Sequence, residues 1–256
     1  PAGARRATPG IVIRSVLFFI LYNLAGVIHS FFCVLIGPFL PFRKRYRFVN
    51  LWTGFSIVLL RHLNGVRVRV EGREHLPEGG FVVLANHQSS YDIITICKAA
   101  LPGVVTIGKK SLKWIPVFGQ IYWLSGNIMI DRKNSGKARD TLKIAGKKIR
   151  EKGTSVWVFP EGTRSYGRGL LPFKSGAFWL AQAVKVPVVM VTASDLHEKV
   201  KWNRWNNGVV LIDIDAPVEL TREHSPKGWT EHFHKAMEEK FARLNEEVAQ
   251  IESAKR

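Results

Sequence analysis

Two short stretches of this chain carry residue types that can do chemistry together. The first is Asn86-His87-Gln88-Ser89-Ser90-Tyr91-Asp92, directly after the apolar run Phe81-Val82-Val83-Leu84-Ala85. A histidine titrates near neutral pH and can serve as a general base. An aspartate that accepts the proton on one imidazole nitrogen fixes the tautomer and frees the other nitrogen to act. Five positions separate His87 from Asp92. On one regular helix that spacing puts them about 140° apart, so they would not face each other. They meet if His87 lies in the turn and Asp92 in the first turn of a following helix, where the dipole also favours a carboxylate. Taken alone, the pair suits catalysis and a structural capping turn equally.

The second stretch is Phe159-Pro160-Glu161-Gly162-Thr163-Arg164-Ser165, again at the end of an apolar run. Glycine, hydroxyls and arginine in a turn after a strand make a phosphate cradle, because arginine binds phosphate as a bidentate fork. Lys174 follows in Pro172-Phe173-Lys174-Ser175-Gly176, at a further helix start, where anions are favoured. The bland reading of one such basic turn is a surface ion pair.

Other signatures are missing. There is no GxSxG, so the nucleophile elbow of a serine hydrolase is absent. Gly136-Lys137 is followed by Ala138 and has no glycine five positions before it, which excludes a P-loop. Cys33 and Cys97 are the two cysteines, neither in a CxxC or Cys/His pattern. Both read as free thiols, with no disulfide framework and no zinc site.

The reactive stretches need a scaffold, and apolar, β-branched runs supply it. Strands are expected over 66–71, 81–85, 104–108, 128–131, 155–159, 187–192 and 209–213. Helices are expected over 90–100, 136–152, 175–185 and 229–251. Alternation of this kind predicts an α/β fold, a mixed, mainly parallel sheet flanked by helices. In the last helix Trp229, Phe233, Met237, Phe241, Leu244, Val248 and Ile251 recur at steps of three or four, a stripe for core packing.

Ahead of this scaffold, Ser15 to Phe42 contains no charged residue. The run is long enough to cross a bilayer. His29 sits within it, and Gly37-Pro38 would end a helix. Arg5, Arg6 and Arg14 precede it, and Arg43, Lys44, Arg45 and Arg47 follow it. A single span carries its positive charge on one side, whereas two basic flanks suit a hairpin or in-plane helix with both ends on the cytoplasmic side. From Tyr46 to Leu63 a second apolar pattern recurs at helical spacing. The expectation is an N-terminal membrane-embedded two-helix segment, dipping into one leaflet, over 1–63, with an α/β catalytic domain over 64–256. A signal peptide fits less well, since the apolar region is too long and lacks a small-x-small cleavage site. Buried helices of a soluble core also fit less well, since Phe18-Phe19 and Phe31-Phe32 put apolar surface on several faces.

The 256 residues hold 38 Lys and Arg against 20 Asp and Glu, a net charge of +18. Such an excess suggests a polyanionic partner, whether nucleic acid, anionic lipid headgroups or an acidic carrier, against the blander reading that it only aids solubility. The apolar N-terminus, and the lack of a zinc-finger, RRM or helix-turn-helix signature, argue against nucleic acid. A basic, aromatic stretch over 199–207 reads as a loop against headgroups or simply a solvated loop.

NHQSSYD and FPEGTRS, in this order, resemble the paired motifs of the PlsC-like glycerolipid acyltransferases, over roughly residues 65–215. An isolated HxxxxD would be a weak signal; the pair is specific. The resemblance implies transfer of a fatty acyl group from acyl-CoA or acyl carrier protein to the sn-2 hydroxyl of lysophosphatidic acid, in phospholipid synthesis. It places the catalytic histidine and aspartate on His87 and Asp92. The glycerophosphate-acceptor block falls on Glu161, Gly162, Thr163 and Arg164. A second block resembles Gly108-Lys109-Lys110-Ser111-Leu112-Lys113-Trp114-Ile115-Pro116, continuing to Gly126 and Asp131-Arg132, and makes Lys109 and Arg132 candidate phosphate ligands beside Lys174. A fourth, apolar block keeps Pro187 but has Met190 where a second proline is common. Neither a metal nor a cofactor is implied, only the thioester co-substrate. The implied location is the inner membrane, with the catalytic domain facing the cytoplasm. Lyso-ornithine lipid, lysophosphatidylethanolamine and glycerol-3-phosphate are the alternative acceptors, and a basic nucleic-acid-binding protein is a distant alternative.

Overall fold

The computed structural model describes residues 9–41, 44, 46–92, 96–99, 103–116, 118–130, 136–201, 206–221 and 223–254. Seven strands form one sheet: β1 (Arg67–Glu71), β2 (Val82–Ala85), β3 (Val104–Lys109), β4 (Ile128–Ile130), β5 (Ser155–Val158), β6 (Val188–Ala193) and β7 (Val209–Ile214). Their order is β1-β7-β6-β2-β5-β3-β4. Every neighbouring pair is parallel except β6 with β7. Each strand lies within about a residue of its sequence expectation, because β-branched residues crowd a helix but pack well on a pleated surface.

Alternation along the central strands sends side chains to two cores. Val82 and Leu84 of β2 join Val188 and Met190 of β6 against α4 (Gly136–Lys152), α5 (Gly176–Val184) and α6 (Pro226–Ser253). Val83 and Ala85 face the other way, with Val189, Val191, Trp157 and Leu196, and Phe18 packs against that side. A central parallel strand covered on both faces must be apolar throughout, and all four residues of β2 are buried. α6 starts where Ser225 accepts the Gly228 N–H at 3.2 Å, with Pro226 in the first turn.

Two N-terminal helices precede the sheet, α1 (Pro9–Ile36) and α2 (Tyr46–Asn64). α1 stops at the expected Gly37-Pro38 step, which winds into a 3₁₀ turn. The helices run antiparallel, since Phe48 pairs with His29 and Trp52, further along α2, pairs with Tyr22, further back along α1. Trp52 Nε1 donates to the Tyr22 hydroxyl at 3.0 Å, and His29 Nε2 meets the Phe48 carbonyl at 2.8 Å. Among the described residues, α1 is the one helix long and apolar enough to cross a membrane, and little of it is covered by protein.

Two sequence expectations need correction. Of the helix expected over 90–100, Asp92 is helical and 96–99 wind as a 3₁₀ turn, while 93–95 and 100 lie outside the described residues. A short helix, α3 (Phe118–Leu124), was not expected; seven residues are too few for a periodic signal.

Candidate active site

The site forms where β2 and β5 end side by side. Both strands point the same way, so the turns that follow them share one end of the sheet. His87 leaves β2 and Phe159 leaves β5. The two turns are stitched together: the Ser165 N–H donates to the His87 carbonyl at 2.8 Å, and the Tyr166 N–H donates to the Gln88 carbonyl at 3.0 Å. The Phe159 ring stacks on the His87 imidazole, with centroids 4.0 Å apart and planes 17° from parallel.

His87 Nδ1 lies 2.6 Å from Asp92 Oδ2. The same oxygen accepts the backbone N–H groups of Gln88 at 2.6 Å and Ser89 at 3.1 Å. An oxygen that accepts from two N–H groups is an acceptor for the imidazole as well, so the proton resides on Nδ1. Among the described residues, Nε2 makes no hydrogen bond. Asp92 is fully buried, while His87 keeps 15% of its side chain exposed. This is a base with one nitrogen oriented and the other open. It forms because Gln88 to Ser90 turn sharply before Asp92, so the pair meets across a turn and not along a helix.

Glu161 plays a part that its sequence grouping with the acceptor-binding residues did not foretell. Its Oε1 accepts the His87 N–H at 2.6 Å and its Oε2 accepts the Leu171 N–H at 2.9 Å. It is buried beneath the site, and both oxygens are engaged by backbone. Burial raises its carboxyl above the ordinary glutamate range, against the two N–H donors, which pull it down.

The neighbouring turn is basic. Gly162 has φ +72, a conformation that strains any residue with a Cβ, and a Cβ there would come within 2.7 Å of Lys174 Nζ. The Lys174 stem therefore lies across Gly162, held also by its N–H to the Pro160 carbonyl at 2.8 Å. Arg164 donates from Nη1 to the Tyr166 hydroxyl at 3.2 Å, and its buried Nε has no partner among the described residues. Thr163 is exposed between them. Lys109 is exposed at the end of β3, which lies beside β5 and parallel to it, so it reaches the same end of the sheet. Among the described residues, no carboxylate pairs with Lys109, Arg164 or Lys174. Arg132 lies outside the described residues, as do 202–205 of the basic, aromatic stretch.

Sequence reasoning overlooked the amides that fasten the site to β6. Asn86 donates from Nδ2 to the Ala193 carbonyl and accepts the Ala193 N–H at Oδ1, both at 2.9 Å. Gln88 Nε2 donates to the carbonyls of Ala193 (3.2 Å) and Ser194 (2.9 Å), and its Oε1 accepts the Leu196 N–H at 2.7 Å. Polar residues flanking His87 at the end of a buried strand were the available signal, since buried amides require partners. Among the described residues no cluster of His, Cys, Asp or Glu could hold a metal ion. Cys33 is a free, buried thiol, as expected.

Known proteins resemble this chain in sequence and in fold. The family model described as Acyltransferase matches residues 67–194. The 1-acyl-sn-glycerol-3-phosphate acyltransferase of Salmonella typhimurium is 45% identical over 177 residues, 68% of this chain and 72% of that protein. The Escherichia coli protein of the same name is 44% identical over 178 residues, 69% of this chain and 73% of that one. The crystal structure of the 1-acyl-sn-glycerophosphate (LPA) acyltransferase PlsC from Thermotoga maritima has the same fold, with a TM-score of 0.73 at 24% identity, covering 91% of this chain and 97% of that chain.

Proposed function

The chain belongs to the acyltransferase family, and we propose that it moves a fatty acyl group from acyl-CoA or acyl carrier protein to the sn-2 hydroxyl of lysophosphatidic acid, giving phosphatidic acid. The observation that carries this reading is the His87–Asp92 pair, 2.6 Å apart, stitched by backbone to a turn whose cations have no carboxylate partner among the described residues. The names of the relatives supply the acceptor.

In this mechanism His87 Nε2 takes the proton of the acceptor hydroxyl as its oxygen attacks the thioester carbonyl. Asp92 holds Nδ1–H and stabilises the imidazolium that forms. The tetrahedral adduct collapses as the C–S bond breaks, and the imidazolium returns its proton to the departing thiolate. The products are the ester and a free thiol. Arg164, Lys174, Lys109 and Arg132 bind the acceptor's phosphate and aim its hydroxyl at the carbonyl. Glu161 sets the height of the His87 backbone. The Gly162 N–H is taken by the Phe159 carbonyl at 3.0 Å, so the N–H groups of Thr163 and Arg164 are the oxyanion donors of choice. No residue is acylated, and no metal or cofactor enters a step.

The acceptor is an amphiphile, and α1 suits a membrane-associated enzyme that takes it from the bilayer. The helices embed in one leaflet of the inner membrane, with the site on the cytoplasmic side, where basic groups gain about 1 kcal/mol each on anionic lipid.

The test is incubation of the detergent-purified chain with lysophosphatidic acid and acyl-CoA or acyl carrier protein donors, reading free thiol and lipid product beside His87→Ala. Phosphatidic acid that appears with wild type and vanishes in the variant is the expected result. Thiol release without that product points to another acceptor, and silence with every donor refutes the reading.

A further inference from the structure

The segment that follows β3 has a surface that the proposed reaction does not use. Lys110–Trp114 forms a 3₁₀ turn leading into α3. Trp114 is 75% exposed and Trp123 is 66% exposed, with Ile115 also exposed between them in sequence. An indole costs much to leave in water, and two on one short segment are not accounted for by packing. Lys113 Nζ lies 4.4 Å from the centre of the Trp114 ring, so cation and aromatic form one unit.

The charge around this surface is one-sided. From residue 93 to 130 there is no aspartate or glutamate, while Lys98, Lys109, Lys110 and Lys113 fall within it. Trp123 and Leu124 also line a shallow apolar groove with Val34 and Pro38, at the end of α1. The apolar exterior of α1 therefore continues onto the catalytic domain. β3 lies parallel to β5, and β5 to β2, so the Lys110–Trp114 turn and His87 leave the same end of the sheet.

We propose that Lys110–Trp114 and α3 form a second, interfacial contact with an anionic phospholipid bilayer, in which Trp114 and Trp123 sit at headgroup level and Lys110 and Lys113 meet lipid phosphates. Indoles concentrate at that depth because one edge is apolar and the N–H is wet. Continuity with α1 selects a membrane over an acidic protein, which the lysines alone would also suit. The contact sets the catalytic domain down with its reactive end facing the lipid; it rests on the proposed reading only for the lipid-borne substrate, since binding itself needs no chemistry.

The test uses the full chain in detergent and in vesicles of phosphatidylcholine with and without phosphatidylglycerol. Amide hydrogen exchange over 109–124 slows in the phosphatidylglycerol vesicles relative to detergent. In Trp114→Ala/Trp123→Ala and Lys110→Glu/Lys113→Glu that protection is lost, and turnover on anionic vesicles falls about tenfold while turnover in detergent stays at the wild-type level. Exchange that is unchanged by anionic vesicles overturns the contact. So does a loss in Lys110→Glu/Lys113→Glu confined to acyl carrier protein donors in detergent, which assigns the surface to the carrier. Protection in a wild-type chain that transfers no acyl group upholds the contact and refutes the proposed reaction instead.

Discussion

Glu161 holds His87 from beneath: its Oε1 accepts the His87 backbone N–H at 2.6 Å, although the two residues stand 74 positions apart. Its other oxygen holds Leu171, so one buried carboxylate ties the base to the loop that leads to Lys174. Glu161→Gln retains one acceptor and turns an amide N–H against a backbone N–H. A buried donor left unpaired costs about 1–3 kcal/mol. Urea denaturation should show a loss of that size, and turnover should fall with it. The variant should also remove a pH dependence. Burial raises the Glu161 carboxyl, so the folded chain holds this proton more tightly than the unfolded chain. The stability it contributes is full below the ordinary glutamate range and is lost as pH rises through the raised value. Wild type should lose stability across that window, and Glu161→Gln should not.

Asp92→Asn is expected to keep the fold and lose the reaction. All three donors meet one oxygen, Oδ2, so an amide oxygen can keep these contacts but carries no negative charge to stabilise the imidazolium. Without that charge the protonated base is not stabilised, and turnover should drop about 10³-fold or more. Steady-state kinetics beside a thermal melt checks this, and a KM change with unaltered kcat would contradict it.

Gln88→Leu removes three hydrogen bonds to the loop after β6 without touching the His87–Asp92 pair. Because the partners are buried backbone groups, the cost should be about 2–3 kcal/mol in chemical denaturation. The residual enzyme should retain far more turnover than Asp92→Asn.

Gly162→Ala strains a backbone at φ +72 and pushes Lys174 off the turn. The conformational cost is about 1 kcal/mol. The larger effect should be on acceptor binding, read as a rise in KM for the lysolipid with little change in KM for the thioester.

Lys240 on α6 bridges Asp213 at 2.9 Å and Asp215, while Arg243 also reaches Asp213 at 2.8 Å. Burial lowers the Lys240 ammonium, but hydrogen bonds to Asp215 and Asp213 outweigh it and leave the group raised. Lys240→Met leaves Asp215 uncompensated, so stability should fall by about 2 kcal/mol with turnover per folded molecule unchanged. Differential scanning calorimetry and an active-site-normalised rate distinguish this from a catalytic effect.

The chemistry-bearing positions were legible because both motifs follow apolar runs, and parallel strands present their ends together. The strands were legible because β-branched runs of four to six residues leave few alternatives. The 3₁₀ winding of 96–99 was not legible, since position in an α/β alternation calls for a helix without choosing its winding. The backbone contacts of Glu161 were not legible, because an acid in a basic turn looks like a ligand-side group. Only its burial and its two backbone donors reveal that it serves the protein itself.

By itself, the sequence determined that this chain carries a His-Asp pair, a basic glycine turn, an apolar N-terminal helix and a mainly parallel sheet, since each depends on local composition and short spacing. Tertiary structure alone decided that Nδ1 faces Asp92 across a turn, that Asn86 and Gln88 lock β6, that Lys174 lies over Gly162, and that two tryptophans remain in solvent. Short spacing does not specify these: His87 and Asp92 meet only because the chain turns between them, and Asn86 and Gln88 reach residues more than a hundred positions away. Local propensity leaves such contacts open, and the cost of burying a polar group without a partner selects one arrangement.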